Sequence, residues 1–379
     1  MPPPTLFCPG GTNSQTGEAA KERYRGASIT DCGTIADVLA LLDNNEGPYV
    51  IPMWNSHVGE VPVAKFIWDH VEESKIKLSD LWAKKIEFWF VKKTGIVTSH
   101  GKIGSVGLAT TQCKDFLQKQ NATIEAYALT NLAFEAYKNG AALDGVLVAP
   151  NQGENAAGFE VVSRRTANTN NFTSFVRFVP SRAFKDDNSA NSLTGVTMRS
   201  YGTSLTEAQQ SFFTELFSGI KSLEEIPKLI FVLKRTAKVG LLFEGPRLYA
   251  SDLLEVNELE KDEIKVYEGA GATAKSYTSE LRKLFEDEFP ELNRGDFILH
   301  HGVDTWLFAC PPLGLYTHGY EKETVESGVR FYISQIFQLW KNGMQCTPAQ
   351  DRFFKRHEKS WLAEGSKFMQ FAPVNPTGG

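Results

Sequence analysis

Hydroxyl and amide side chains recur at the predicted turns between strands and helices in the first half of the chain. These side chains are Thr12, Ser14, Asn55, Ser56, Ser105, Thr130 and Thr173. Together with backbone N–H groups at helix starts, they can hold an anion without adding net charge. Polar groups at several such turns can also converge on one cleft. Taken singly, the same residue types are common helix caps and turn residues, so capping stays the alternative for each one.

The elements that would position these side chains alternate regularly over the first half of the chain. Strands such as Lys85–Lys92 and Gly145–Ala149 alternate with helices such as Leu108–Lys119. This order predicts an α/β domain over residues 1–184. The polar stretch at 185–203, which contains DDNSANS, is the best candidate linker. Beyond it, helices and strands follow unevenly, which predicts an α+β domain of unknown role over 204–379.

Composition and charge exclude several classes of protein. The chain has 379 residues, of which 42% are hydrophobic, and a net charge of −5. An acidic balance argues against nucleic acid as a partner, because an electrostatic grip on phosphates needs a basic face. The sequence has no apolar run long enough to span a bilayer, so no membrane partner is expected. Five scattered cysteines and the lack of a secretory-signal pattern predict reduced thiols and a cytoplasmic location.

Two clusters in the second half could carry further chemistry. GAGATAKS, from Gly269, is similar to a phosphate loop but has Ala274 where the second glycine belongs, so a turn before a helix is the preferred interpretation. Histidine, cysteine and acidic residues gather between His300 and Glu321, but their spacing fits no metal-ligand pattern. We therefore expect no cofactor and no metal ion.

Four short motifs occur in the first half of the chain in a characteristic order. They are CPGGTNSQTGEAA from Cys8, YVIPMWNSHVGEV from Tyr49, SVGLATTQCKDFL from Ser105 and NFTSFVRF from Asn171, with a weaker fifth, ALTNLAFEA, around Thr130. In these motifs the chain resembles the catalytic domain of prephenate dehydratases. The resemblance implies a two-lobed α/β domain, like a type 2 periplasmic-binding-protein domain, with the ligand in the cleft between the lobes. It also implies a homodimer.

The resemblance implies a carbon–oxygen lyase of aromatic amino acid biosynthesis, on the route to phenylalanine. Such an enzyme removes carbon dioxide and water from prephenate or a related cyclohexadienyl acid, a small anionic ring acid. Thr173 matches the family threonine that donates a hydrogen bond to the leaving hydroxyl, and is the predicted catalytic residue. The predicted substrate-binding residues are Thr12, Ser14, Asn55, Ser56, Ser105, Thr130, Phe175 and Arg177.

Two departures from the family motifs bear on this function. Trp54 stands where the family has a glutamate before Asn-Ser, and Ser174 stands where it has the arginine of Thr-Arg-Phe. A guanidinium can clamp a carboxylate with two hydrogen bonds, which a serine cannot do. Arg177 could replace it only in a shifted register that gives up Thr173, and we prefer the register that keeps Thr173.

Three functions therefore stay open at the level of sequence. The first is a dehydratase, which the retention of Thr173 favours. The second is a prephenate decarboxylase of specialised metabolism that does not aromatise its substrate, and the third is a non-catalytic small-acid-binding or sensor protein. The missing arginine favours the second and third. The chain also lacks the family's phenylalanine-binding tail segments, so feedback control by phenylalanine is not expected.

Overall fold

The computed structural model describes residues 4–42, 47–61, 67–71, 73, 75–97, 99–168, 171–184, 191–199, 217, 220–235, 238–246, 264–271, 276–288, 297–301, 305–319 and 321–362. The chain divides into two compact units. Unit 1 consists of Met1–Ile76 and Leu81–Phe184, and unit 2 consists of Lys77–Asp80 and Lys185–Gly379. Within the described residues, no helix is long and apolar enough to cross a membrane.

The first sheet of unit 1 has the strand order β2-β1-β3-β11-β5, with β4 paired to β3. Its strands are β1 (Thr5–Cys8), β2 (Ser28–Asp31), β3 (Tyr49–Asn55), β4 (Gly59–Glu60), β5 (Ile76–Lys85) and β11 (Phe172–Pro180). Strand β1 runs parallel to β2 and β3, and β11 runs antiparallel to β3. Helices α1 (Gln15–Arg23) and α2 (Ile35–Leu41) follow β1 and β2, as in other α/β units.

The second sheet of unit 1 has the strand order β10-β6-β9-β7-β8. Its strands are β6 (Trp89–Lys93), β7 (Lys102–Val106), β8 (Thr123–Tyr127), β9 (Gly145–Val148) and β10 (Phe159–Ser163). Helices α3 (Ala109–Gln112), α4 (Lys114–Gln120), α5 (Thr130–Lys138) and α6 (Pro150–Glu154) lie between these strands in sequence. Unit 1 is thus built from two α/β lobes, which confirms the predicted fold class.

The chain passes from one lobe to the other between β5 and β6 and again between β10 and β11. Residues 86–88 belong to the first crossing, and the described residues of the second are 164–168 and 171. The backbone N–H of Ile86 donates to the carbonyl of Asn171 at 2.8 Å, and the Thr166 hydroxyl donates to the carbonyl of Phe88 at 2.6 Å. The first crossing corrects one expectation, because the predicted strand Lys85–Lys92 is interrupted there. Its aromatic and β-branched residues stay buried in the crossing, so they carry the same pattern as a strand.

The lobes share one apolar core. Leu6 and Val50 from the first sheet pack in the same cluster as Phe90, Ile103 and Leu147 from the second, and all five are at most 2% exposed. Fully burying a side chain of this kind stabilises a fold by about 1.5–3 kcal/mol. The cluster therefore holds the ends of the strands at fixed positions on either side of the cleft described below.

Unit 2 is an α+β arrangement around a seven-stranded sheet of order β15-β12-β14-β13-β18-β17-β16. The strands are β12 (Asn191–Arg199), β13 (Lys228–Arg235), β14 (Lys238–Pro246), β15 (Ile264–Gly271), β16 (Ile298–His301), β17 (Trp306–Cys310) and β18 (Leu315–Gly319). The described helices are α7 (Tyr277–Glu288), α8 (Lys322–Lys341) and α9 (Pro348–Leu362). Strands β12 to β15 are mutually antiparallel where they pair, in the order of a ferredoxin-like unit.

The predicted linker at 185–203 is wrong over Asn191–Arg199, which forms β12. This strand pairs with β14 on one side and β15 on the other, and Val196 is fully buried. Its serines and threonines look like linker residues, but Ser192 and Thr194 are buried and their hydroxyls lie 3.3 Å apart. The rest of the predicted linker lies outside the described residues.

The N-terminus of α7 is occupied by the carboxylate of Glu244. This side chain accepts hydrogen bonds from the backbone N–H groups of Tyr277 and Thr278 and from the hydroxyls of Ser276 and Thr278, at 2.7–2.9 Å. A phosphate bound by the GAGATAKS segment would need the same backbone donors. The structure therefore supports the interpretation of Ser276 as the start of a helix, while residues 272–275 lie outside the described part.

We expect Glu244→Gln to loosen α7. The amide nitrogen would face donors, and leaving buried donors unsatisfied costs about 2 kcal/mol. Hydrogen exchange of residues 277–288 should speed up by a factor of about 30. Glu160→Gln, at an exposed position of β10, is the control and should leave this segment unchanged. Equal protection in Glu244→Gln and the wild type would mean that the carboxylate does not hold the helix.

Candidate functional site

A cleft of about 320 Å³ lies between the two lobes of unit 1. Its lining comes from residues that follow the carboxyl ends of β1, β3, β7 and β8, from the starts of α1 and α5, and from β11. Sites at the carboxyl ends of parallel strands are the rule in open α/β sheets. The polar part of the lining includes Ser14, Asn55, Gln112, Thr130 and Thr173, and the apolar part includes Val61, Ile86, Phe88, Leu129 and Phe175.

The side chain of Asn55 organises one wall of the cleft. It is 1% exposed, and its oxygen accepts from the backbone N–H groups of His57 and Val58 at 2.9 and 3.1 Å. Its nitrogen donates to the Thr173 hydroxyl oxygen at 2.9 Å, to the Asn171 side-chain oxygen at 2.9 Å and to the carbonyl of Phe172 at 3.1 Å. One amide thus ties the end of β3 to β11 and to the second crossing.

The hydrogen bond from Asn55 sets the role of Thr173. Because the Thr173 oxygen accepts from Asn55, its own O–H remains a donor, and the residue lines the cleft. The side chain is 6% exposed, so little water competes for this donor. Phe175, two residues along β11, lines the same cleft and stacks on Trp82 with a centroid distance of 5.8 Å.

Five of the nine predicted site residues line the cleft: Ser14, Asn55, Thr130, Thr173 and Phe175. The hydroxyl of Ser14 also caps α1, because it accepts from the N–H of Gly17 at 3.0 Å and donates to the carbonyl of Gly11 at 2.9 Å. For Ser14 the capping role is therefore real, as well as its position at the cleft.

The other four predicted residues lie away from the described lining. The Ser105 hydroxyl donates to the carbonyl of Leu147 at 3.0 Å within the second sheet, and Ser56 accepts from the N–H of Phe172 at 3.0 Å. The carbonyl of Thr12 accepts from Asn151 at 2.7 Å, and the Arg177 guanidinium lies over the ring of Tyr24 at 5.5 Å. None of these four is among the described lining residues, and their substrate-binding role stays a prediction. In the structure Ser56 and Ser105 make hydrogen bonds to the backbone of other strands, and Thr12 accepts a hydrogen bond through its carbonyl.

Two titratable groups near the cleft keep their neutral forms. Burial raises the pKa of the Tyr127 phenol, and its hydrogen bond to Glu125 at 3.0 Å raises it further. Burial raises the pKa of the Cys113 thiol to about 12, so this thiol stays protonated at neutral pH. Within the described residues, no three His, Cys, Asp or Glu side chains come together as a group that could hold a metal ion.

Comparison with known proteins identifies the domain that carries this cleft. The family model of prephenate dehydratase matches residues 7–181. These residues form a prephenate dehydratase domain. No curated protein matches the sequence significantly.

Solved structures share the fold at low sequence identity. The prephenate dehydratase of Arthrobacter aurescens in complex with L-Phe superposes with a TM-score of 0.54 at 15% identity, over 71% of this chain and 89% of that chain. The prephenate dehydratase of Staphylococcus aureus superposes with a TM-score of 0.51 at 15% identity, over 70% and 99%. GqqA, a quorum quenching acylase, gives 0.50 at 15% identity, over 70% and 98%. The fold alone therefore does not fix the reaction.

The two departures from the prephenate dehydratase motifs are neighbours in the structure. Trp54 on β3 and Ser174 on β11 are register partners, and both side chains are fully buried. Neither residue belongs to the described lining of the cleft, because Thr173 and Phe175 occupy the cleft face of β11. A glutamate and an arginine at these positions would be cross-strand partners. Where the family motifs have two oppositely charged residues, this chain has a large and a small buried side chain in register.

The site also contains residues that the sequence analysis did not select. Gln112 lines the cleft, and it belongs to the Gln-Cys end of the third motif, so the signal for it was present. Gln15 and Thr16, which lie within the first motif, and Tyr127, which lies outside the motifs, line the cleft as well. Gln15 donates to the carbonyl of Glu87 at 2.6 Å and so links α1 to the first crossing.

We expect Asn55→Asp to destabilise unit 1 strongly. A carboxylate would place an acceptor against three acceptors, and burying it unpaired costs about 3 kcal/mol. The loss should shrink as the pH falls, because a carboxyl group whose pKa is raised in the folded state binds its proton more tightly there. Urea denaturation at pH 5 and pH 8 would measure both effects.

The control for this variant is Asn13→Asp, since Asn13 is exposed. It should change the free energy of unfolding by less than about 0.5 kcal/mol. If Asn55→Asp behaves like this control, the amide does not organise the wall of the cleft.

The coupling of Trp54 and Ser174 can be tested by a double-mutant cycle. Ser174→Arg alone buries an unpaired charge, and Trp54→Glu alone leaves a cavity and a buried charge, so each should cost about 3 kcal/mol or more. The double variant should be more stable than the sum of the two predicts, by about 2 kcal/mol. Denaturant unfolding of the three variants gives the coupling energy, and additivity would show that the two positions changed independently.

Proposed function

We propose that the chain is a lyase of the prephenate dehydratase type that acts on prephenate or a related cyclohexadienyl acid. The observation that carries the proposal is the hydrogen bond from Asn55 to Thr173, which leaves the Thr173 O–H as a donor at the cleft. The match of the family model to residues 7–181 supports it. On this proposal the protein belongs to aromatic amino acid biosynthesis.

In the proposed reaction the ring loses two substituents, a carboxylate and a hydroxyl, and the aromaticity of the product drives the process. The bond from the ring to the carboxylate breaks, and its electron pair moves into the ring. The hydroxyl on the opposite ring carbon leaves as hydroxide, and protonation converts it to water. Thr173 helps as a positioned hydrogen-bond donor to that oxygen, since an aliphatic hydroxyl is a weak acid.

The apolar lining contributes to the loss of carbon dioxide. Ile86, Phe88 and Phe175 are each at most 3% exposed and line the cleft. Removing water from a carboxylate disfavours its charge, while the product carbon dioxide is uncharged. The same surface excludes water from the ring. A decarboxylase that does not aromatise its substrate would use this surface without Thr173.

Substitution of Thr173 tests the proposed role. We expect Thr173→Val to lower kcat with prephenate by a factor of about 100 or more, because a positioned donor is lost. KM should change little, and Thr173→Ser should keep most of the activity. Chromatography of substrate and products gives the rates and distinguishes phenylpyruvate from a non-aromatic acid.

Thr305→Val is the matched control, because Thr305 is a buried threonine of unit 2 whose hydroxyl donates to the carbonyl of Gly319. It should leave kcat unchanged. Full activity of Thr173→Val would show that Thr173 is not catalytic.

A second candidate function is a binding or sensor protein without turnover. It is favoured by the lack of a basic side chain among the described residues of the cleft lining. On this alternative, a ring acid would raise the melting temperature of the protein without being consumed. The homodimer and the cytoplasmic location stay predictions.

A further inference from the structure

Two helices that follow strands of different lobes begin at the cleft. Helix α1 follows β1 of the first sheet, and helix α5 follows β8 of the second. The lining includes Gln15 and Thr16 from the first turn of α1, and Leu129 and Thr130 from the start of α5. The first N–H groups of a helix have no intrahelical partner, and they favour an anion. Each lobe thus presents one helix start to the same cleft.

Contacts between the lobes hold the two helix starts close together. The side-chain nitrogen of Asn131, in the first turn of α5, donates to the carbonyl of Gly10 at 3.4 Å. A Cβ atom on Gly10 would lie 2.9 Å from the Cβ of Ser14 and 3.3 Å from the side chain of Leu129. Ser14 and Leu129 are the N-cap residues of α1 and α5. The two helix starts are therefore side by side, within reach of one carboxylate.

Each helix start carries a buried threonine whose hydroxyl is open to a ligand. Thr16 is 7% exposed and Thr130 is 4% exposed, both line the cleft, and neither side chain makes a hydrogen bond within the described part of the chain. Buried polar groups in proteins are almost always hydrogen-bonded, so two such hydroxyls in a cleft indicate the polar end of a ligand. At α5 the need is larger, because Leu129 gives no side-chain cap.

The chemistry of the proposed reaction indicates which group of the substrate binds to these donors. Several N–H and O–H groups at two helix starts stabilise a carboxylate without a cation. They would slow decarboxylation of the group they hold, because that group loses its charge in the transition state. The leaving carboxylate therefore suits the apolar surface of Ile86, Phe88 and Phe175. The donors suit a carboxylate that the product keeps.

We infer that Thr16 and Thr130, together with the N–H groups of the two helix starts, bind a side-chain carboxylate that the substrate retains. This inference rests on the proposed function, because it takes the cleft as the substrate site. The substrate class is then a cyclohexadienyl acid with a second carboxylate on a short side chain. Because α1 and α5 belong to different lobes, the bound carboxylate also bridges the lobes.

The inference is tested by titration calorimetry of the full chain with two probes of the same skeleton. At neutral pH 3-phenylpropanoate carries one negative charge and 3-phenylpropanamide carries none. We expect the carboxylate to bind at least tenfold more tightly than the amide. Thr16→Val and Thr130→Val each remove one hydroxyl at nearly constant size. Each should weaken the carboxylate about tenfold, as expected for a hydrogen bond to a charged group, and the amide by less than threefold.

Two further variants are controls. Thr324→Val removes a buried threonine hydroxyl from the first turn of α8 in unit 2 and should change neither affinity. Thr130→Ser keeps the hydroxyl and should bind the carboxylate within threefold of the wild type. Equal affinity of the wild type for the two probes would overturn the inference. It would also be overturned if the valine variants kept the carboxylate affinity, or lost both probes to the same extent.

Kinetics with prephenate separates the inference from the proposed function. Thr16→Val should raise KM about tenfold and leave kcat within a factor of three, whereas Thr173→Val lowers kcat. If both Thr16→Val and Thr130→Val convert prephenate to phenylpyruvate with the KM of the wild type, the inference fails and the proposed function stands. If they lose the carboxylate probe selectively but the wild type turns over no cyclohexadienyl acid, the inference stands and the lyase proposal fails.

Discussion

The geometry of unit 1 depends on one amide that is satisfied at both ends. The oxygen of Asn55 is fixed by two backbone donors of the turn after β3, so its nitrogen must face β11. There it donates hydrogen bonds to the Thr173 hydroxyl, to the carbonyl of Phe172 and to the side-chain oxygen of Asn171. Few other side chains could do this, because the position requires an acceptor and a donor on one short planar group. A motif residue that looks like a turn former is therefore the link between fold and site.

The α/β fold explains why short motifs far apart in sequence meet in space. Strands β1, β3, β7 and β8 each end at the cleft, and a motif follows or ends each of them. The sheets fix where the strands end, and the shared apolar core fixes one sheet against the other. Each motif supplies between two and four residues to the lining. The residues of the site are thus positioned mainly by the ends of the strands. The helices cover the faces of the sheets, and their first residues contribute to the lining.

The alternation of strands and helices was enough to predict the fold of unit 1, and the ordered motifs were enough to find Asn55 and Thr173. The sequence could not show that the Ser105 hydroxyl donates to the carbonyl of Leu147, because a serine before a helix has the same pattern whether it binds a ligand or the backbone. It also could not show that Trp54 and Ser174 are partners, because register is set by long-range pairing.

In unit 2 the sequence misled us where polar residues are buried. The hydroxyls of Ser192 and Thr194 on β12 lie within hydrogen-bond distance of each other, and the strand pairs on both sides. Its polar composition therefore led to the prediction of a linker where the structure has an internal strand. In unit 1 the sequence analysis missed Gln112. Its motif was recognised, but its side chain was not predicted to line the cleft.

The bond between Asn55 and Asn171 joins a lobe to the segment on which the lobes would turn. A change of angle between the lobes would therefore move the donor that positions Thr173. Such a rotation would also displace the Thr173 hydroxyl at the cleft. A molecule that binds at the rim and holds the lobes apart would therefore displace Thr173 without occupying the cleft itself.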